Sequence, residues 1–109
     1  LNFLGNNIIV KHQIIQVYMI RLNVFIKVSD ANKAEVEKIA KELVEASLKD
    51  NGCIAYDFFK SATREDVYMI CETWSDEDAL KAHSASAHFT TLVPKIQNLA
   101  EMKLESFNF

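Results

Sequence analysis

IRLNVFIKV, residues 20–28, alternates strictly: Ile20, Leu22, Val24, Ile26 and Val28 fall on one face, and Arg21, Asn23, Phe25 and Lys27 on the other. Side chains of an extended chain point alternately to opposite sides, so the pattern specifies a strand with one face in a core. Ser29-Asp30-Ala31-Asn32 follows and offers capping side chains, and a helix is predicted from there to about Asp50. Its apolar residues Val36, Ile39, Ala40, Leu43, Val44 and Leu48 form one stripe at helical spacing. Glu37–Lys41 and Glu45–Lys49 stand four apart in the favourable order, which reads as a solvated outer face. Asn51-Gly52 ends the helix, glycine being the residue that accepts a left-handed backbone there.

Two more strands are predicted at Cys53–Ser61 and Val67–Trp74, joined by the polar turn Ala62–Asp66. Ser75 is read as the cap of the next helix, with Asp78 at its third position, close to a capping box. That helix runs through His83, loosens around Ser84-Ala85-Ser86 and resumes from about Ala87 to Leu99. Pro94 needs a kink or a fresh helical start nearby. Glu101–Phe107 closes the pattern as a strand. The order β-α-β-β-α-β is the split βαβ arrangement of the ferredoxin-like α+β fold. A sheet of this kind is covered by its own helices on one face only, and so small a domain buries only about two-thirds of its unfolded surface. A homodimer is therefore expected.

Residues 1–18 differ from the rest. LNFLGNNIIVKHQIIQVY contains no acid and one lysine, whereas all fifteen Asp and Glu residues lie in 19–109. Lys11-His12-Gln13 breaks its apolar stretches and no small-residue cleavage site follows, which argues against a signal peptide. The expectation is an extension outside the domain, artefactual or poorly packed, with Met19 as the natural start; the alternative is that Ile8–Val17 adds a strand to a sheet edge.

Composition excludes several classes. The formal net charge is −3 and no Lys/Arg stripe forms, so nucleic acid is not an expected partner. No apolar run reaches the roughly 20 residues of a membrane span. With Gly5 and Gly52 as the only glycines, no phosphate-cradling or dinucleotide loop can form, and flavin, nicotinamide and ATP are disfavoured. Cys53 and Cys71 have no metal-type spacing, and pairing through the Thr63–Glu65 turn would set Cys71 opposite Asp57, too far from Cys53 for a bridge. Reduced, buried thiols in a cytoplasmic protein are expected.

Few residues could carry chemistry. His83 follows Ala79 and Leu80 by four and three positions and points with them toward the sheet; it is either a core histidine satisfied by one hydrogen bond or a titrating group in a pocket. His88, five residues later, would lie about 140° around an unbroken helix, so the two should not share a metal, and none is expected. Glu72 shares a strand face with Tyr68, Ile70 and Trp74, where a carboxylate either pairs or has a raised pKa. Asn23 interrupts a strand, and its amide could serve a ligand oxygen. Tyr56, Phe58, Tyr68, Trp74 and Phe89 are core by default and a stacking platform second.

Taken in order, Gly52-Cys53-x-x-Tyr56, Glu72-x-Trp74-x-Asp76-x-x-Ala79-Leu80-x-Ala82-His83 and Ser86-x-His88-Phe89 resemble the antibiotic biosynthesis monooxygenase family across essentially all of 19–109. The resemblance implies a dimeric α+β barrel, in which two ferredoxin-like sheets meet with the helices outside. It implies oxidation of small phenolic or quinol-type aromatics by dioxygen without a cofactor. Haem-degrading relatives combine a strand-one Asn, a Trp and a haem-ligating His; Asn23 matches, but His83 occupies the Trp position and Val93 the ligand position, which points away from haem. A branch that isomerises a phosphorylated signalling sugar is also similar over Asp76–Ala79, His83 and His88-Phe89, with Lys60, Arg64 and Lys95 as candidate phosphate partners. A non-catalytic ligand-binding dimer is the third alternative.

On that resemblance His83 is expected to act as general base on a phenolic hydroxyl, with Glu72 orienting or charge-balancing the imidazole. Asn23 and the Trp74 indole N–H would bind the developing oxyanion. Phe25, Tyr56, Phe58, Tyr68, His88 and Phe89 would line the pocket.

Overall fold

The computed structural model describes residues 18–109, together with the backbone of three short strands before them. Those strands, β1 (Phe3–Leu4), β2 (Asn7–Val10) and β3 (Gln13–Gln16), pair antiparallel with one another as a separate sheet and add nothing to the main sheet's edge. As for the alternative that Ile8–Val17 adds a strand to a sheet edge, these strands pair with one another and not with the main sheet. The packing of residues 1–17, and with it the expectation that 1–18 is artefactual or poorly packed, lies outside the described residues.

The main sheet contains β4 (Ile20–Lys27), β5 (Cys53–Lys60), β6 (Val67–Trp74) and β7 (Glu101–Asn108) in the order β5-β6-β4-β7, all antiparallel. The helices are α1 (Lys33–Ser47), α2 (Glu77–Ser84) and α3 (Ala87–Leu99), with a 3₁₀ turn at Asp30–Asn32 before α1. This is the βαββαβ ferredoxin-like arrangement, and the register of β4 against β6 carries its two-sidedness. Leu22 faces Glu72, Val24 faces Ile70 and Ile26 faces Tyr68, so the alternation read from residues 20–28 becomes one helix-facing side, buried except at the half-buried Val24. Asp57 stands opposite Cys71 as expected; both cysteines are free, but they are half-buried rather than buried.

Helix α1 lays Val36, Ile39, Ala40 and Leu43 on that face. Leu48 does not join them. The helix ends at Ser47, which takes the buried place, and Leu48 turns outward, 53% exposed. Capping also differs from expectation. Neither Ser29 nor Asn32 makes a side-chain cap; the Asn32 amide donates instead to Leu99 O at 3.1 Å, fastening the start of α1 to the end of α3. Asp76, not Ser75, caps α2, accepting from Ala79 N at 2.8 Å. The outer charges of α1 are not all idle, since Glu37 accepts the Tyr68 hydroxyl at 2.6 Å. The chain restarts at Ser86, whose hydroxyl caps α3, and α3 then runs on through Pro94.

Gly52 couples these parts. Its φ is +77°, and a Cβ built there would lie 2.5 Å from Ala79 Cβ and 2.6 Å from Ser75 Oγ. Its carbonyl accepts Ser75 N at 2.8 Å, so the exit of α1 and the entry of α2 meet at this one position. Gly52→Ala is therefore expected to lose at least about 2 kcal/mol of unfolding free energy, through left-handed backbone cost plus overpacking. Urea denaturation would read the loss as a lower midpoint at unchanged slope.

Candidate functional site

A cavity of about 400 Å³ lies between the sheet and the helices. Its walls are mainly apolar, with Leu22, Val24 and Ile70 from the sheet, Leu80 from α2, and Phe89 and Val93 from α3. Tyr56 and Glu72 bring polar groups to it from the sheet, and Ser84, Gln97 and Ser106 also line it. Both come from adjacent strands at one register step, Tyr56 opposite Glu72, so the hydroxyl and the carboxyl are neighbours by the geometry of the sheet.

Glu72 is 4% exposed. Burial pushes its pKa up to about 7, although the Trp74 indole and then the Tyr56 hydroxyl pull it back down. Trp74 Nε1–H donates to Glu72 Oε1 at 2.8 Å, the two residues being second neighbours on one strand face. Tyr56 is pushed well above the ordinary phenol range, chiefly by burial and next by the nearby Glu72 charge. The result is a buried carboxyl on the wall of a mainly apolar cavity whose pKa lies near neutral pH.

Behind that wall is a second polar group. His83 is 1% exposed and packs its ring 4.4 Å from Trp74, 5.5 Å from Tyr56 and 5.2 Å from Phe89. Asp50, in the turn after α1, holds His83 Nδ1 at 2.8 Å through Oδ2, and the same oxygen holds His88 Nε2 at 2.8 Å. His83 Nε2 is buried with no partner among the described residues. Burial is the largest influence on His83 and holds its pKa below the usual imidazole range, opposed by Asp50.

The structure thus brings some expected site residues together and separates others. Glu72, Trp74 and Tyr56 form one cluster, and Phe89 joins Tyr56 and Glu72 on the cavity wall, which Trp74 does not line. His83 adjoins the cluster, but the carboxylate that orients it is Asp50, not Glu72. The Trp74 N–H is spent on Glu72 and is not free for an oxyanion. Asn23 pairs with Cys71 and Glu105 on the opposite face of the sheet, and Phe25 lies on that face too, so neither reaches the cavity. Phe58 stacks on Tyr68 at 5.1 Å, away from the cavity lining, and Tyr68 is bound to Glu37. His88 faces Asp50 rather than the cavity. The expected divergence of His83 and His88 is overturned, because the helix breaks between Ser84 and Ala87 and both rings converge. Lys60, Arg64 and Lys95 do not line the cavity, nor does any other lysine or arginine among the described residues. Asp50 had no periodic signal in the sequence; only the Ser84-Ala85-Ser86 break hinted that a third group could serve both histidines.

Comparison with known proteins gives a consistent result. The family description "Antibiotic biosynthesis monooxygenase" matches residues 19–95. The chain is similar to "Putative monooxygenase YcnE" of Bacillus subtilis (strain 168), 34% identical over 87 residues, covering 80% of this chain and 92% of that one. A crystal structure from Bacteroides thetaiotaomicron, described as a conserved protein of unknown function and possible oxidoreductase, superposes with a TM-score of 0.83. It is 56% identical, with 84% of this chain and 98% of that chain covered. A "putative antibiotic biosynthesis monooxygenase" structure from Caulobacter crescentus gives a TM-score of 0.76 at 28% identity, covering 84% and 89%.

The raised pKa of Glu72 has a thermodynamic consequence. Between pH 4.5, its ordinary value, and about 7, the unfolded chain releases this proton while the folded chain keeps it. Stability therefore falls as pH rises through that window, by on the order of 3 kcal/mol in total. Glu72→Gln should remove that fall, so the stability difference between variant and parent should grow from pH 4.5 to 7 in paired denaturation curves.

Proposed function

The chain belongs to the antibiotic biosynthesis monooxygenase family, and from that premise we propose that it oxidises a small phenolic or quinol-type aromatic with dioxygen, without a cofactor. The observation that carries this reading is Glu72, a buried carboxyl with a pKa raised to about 7 that opens onto an apolar cavity of aromatic size. A phenol bound against Leu22, Ile70 and Phe89 would present its hydroxyl to Glu72. Ionised Glu72 accepts that proton, and the Trp74 N–H and Tyr56 hold the carboxyl in place while its charge changes.

The phenolate then gives one electron to dioxygen, and the resulting radical and superoxide combine at the para carbon as a peroxide. The proton held by Glu72 and the hydrogen on that carbon leave with the distal oxygen as water. A phenol with an open para position thus becomes a quinone: two electron pairs leave the substrate, one oxygen atom enters it and the other departs in water. The apolar walls keep bulk water from the peroxide. His83 supports Trp74 from behind and takes no proton in this scheme, which revises the role expected for it from the resemblance. The sugar-phosphate alternative lacks support, because no cation lines the cavity among the described residues.

The working unit we propose is residues 19–109, paired through the helix-free face of the sheet. Phe59 and Phe107 lie on that face, each 49% exposed, and Phe25, Met69 and Cys71 lie between them. Sedimentation at micromolar concentration should give a dimer, and Phe59→Lys should shift it toward monomer. A well-folded wild-type monomer would contradict the pairing.

Oxygen uptake over a panel of quinols and phenols in EDTA-treated buffer tests the chemistry. At least one substrate should consume oxygen above the spontaneous rate, and Glu72→Gln should cut that turnover by about 10²–10⁴-fold. His83→Ala should keep proton transfer while weakening stability. Loss confined to His83→Ala, with Glu72→Gln fully active, would overturn the assignment.

A further inference from the structure

We propose that Asp50, His83 and His88 form a binding site for one divalent transition-metal ion of the zinc class, held by one carboxylate oxygen and two imidazole nitrogens. The three residues come from three elements: the turn after α1, the last turn of α2 and the first turn of α3. The break at Ser84–Ser86 aims two histidines five residues apart at a single point, which an unbroken helix would prevent. Asp50 Oδ2 lies 2.8 Å from His83 Nδ1 and 2.8 Å from His88 Nε2, and the three candidate donor atoms lie within 4.8 Å of one another.

The chemistry of the set selects the ion. Two neutral imidazoles and one carboxylate suit zinc, cobalt or nickel, whereas magnesium and calcium prefer oxygen alone. Zinc bonds of about 2.0–2.1 Å in a tetrahedron space the donors about 3.3 Å apart. The present 2.8 Å separations must therefore open by roughly half an ångström. His83, fixed under Trp74, is the anchor, while Asp50 and His88, with side chains 20% and 21% exposed, supply the adjustment and the entry path. Binding at Nδ1 moves the His83 ring proton to Nε2, which is buried and unpartnered before and after, so no hydrogen bond is lost there. None of the three residues lines the cavity, so the site is separate from the one proposed for oxidation and does not rest on that reading. An ion here would clamp the exit of α1 to the α2–α3 junction.

Trp74, the only tryptophan, is a built-in reporter 4.4 Å from the His83 ring. The full chain, stripped with EDTA, should bind one zinc per chain by calorimetry and melt at a higher temperature when loaded. Cobalt should quench Trp74 emission and develop a visible absorption band, and magnesium should do neither. His88→Ala, a change at a partly exposed side chain, should weaken zinc binding by more than the roughly 10–100-fold that loss of an outer partner costs. Asp50→Asn should do the same wherever circular dichroism shows it folded. No saturable zinc binding by the parent chain would overturn the proposal, as would zinc binding at full affinity in folded His88→Ala. Because the readouts are heat, melting and spectra, this outcome is independent of any result in the oxygen-uptake assay.

Discussion

The hydrogen bond from the Trp74 indole to Glu72 organises the rest of this structure. Strand β6 carries both residues on its helix-facing side, and Trp74 is fully buried there, so its N–H must find an acceptor inside the protein. Glu72 supplies it, and in doing so gains a donor that, with the Tyr56 hydroxyl, makes a buried carboxyl tolerable. The other functional groups are placed around this pair. Tyr56 meets the carboxyl from the neighbouring strand and the indole edge-on, with ring centres 6.3 Å apart. His83 packs on both the indole, at 4.4 Å, and the Tyr56 ring, at 5.5 Å, and carries Asp50 and His88 with it. A polar chain thus crosses the core from the cavity to the partly exposed α2–α3 junction, with one indole in the middle.

The sheet divides its labour by parity. Even-numbered residues of β4 and β6, and of β5 from Tyr56 onward, face the helices, and odd-numbered ones there form the helix-free face. A register shift between Cys53 and Ala55 breaks the rule at the start of β5, where Cys53 stands opposite Trp74 and Ile54 is exposed. The aromatic substrate and the second copy proposed above would therefore engage different side chains.

Much of this was legible in the sequence, and the failures have definite causes. The alternation of residues 20–28 and the helical stripe from Val36 to Leu43 gave the element order, because burial on one face leaves a periodic record. Glu72 and Trp74 stood out for the same reason, as a carboxyl and an indole sharing a face. The parity of Asn23 already set it beside Arg21 and Phe25; assigning it to a pocket let its polarity outweigh that period, and the register against Cys71 decides the matter. Asp50 was invisible, since a carboxylate in a turn after a charged helix has no pattern to break. The convergence of His83 and His88 depended on how sharply the chain turns at Ser84–Ser86, a geometric quantity that composition does not encode. Leu48 misled because a stripe ends where its helix ends, one residue earlier than its apolar run.

The central claim is that Glu72 is a buried carboxyl that changes charge near neutral pH while bound to Trp74. A site-resolved titration of the Glu72 side-chain carboxyl by carbon-13 NMR, assigned by comparison with Glu72→Gln, tests it most directly. The account predicts a single midpoint close to 7, accompanied by a coupled shift of the Trp74 indole N–H resonance. A midpoint at the ordinary value of 4.5, or an indole resonance indifferent to pH, would contradict it.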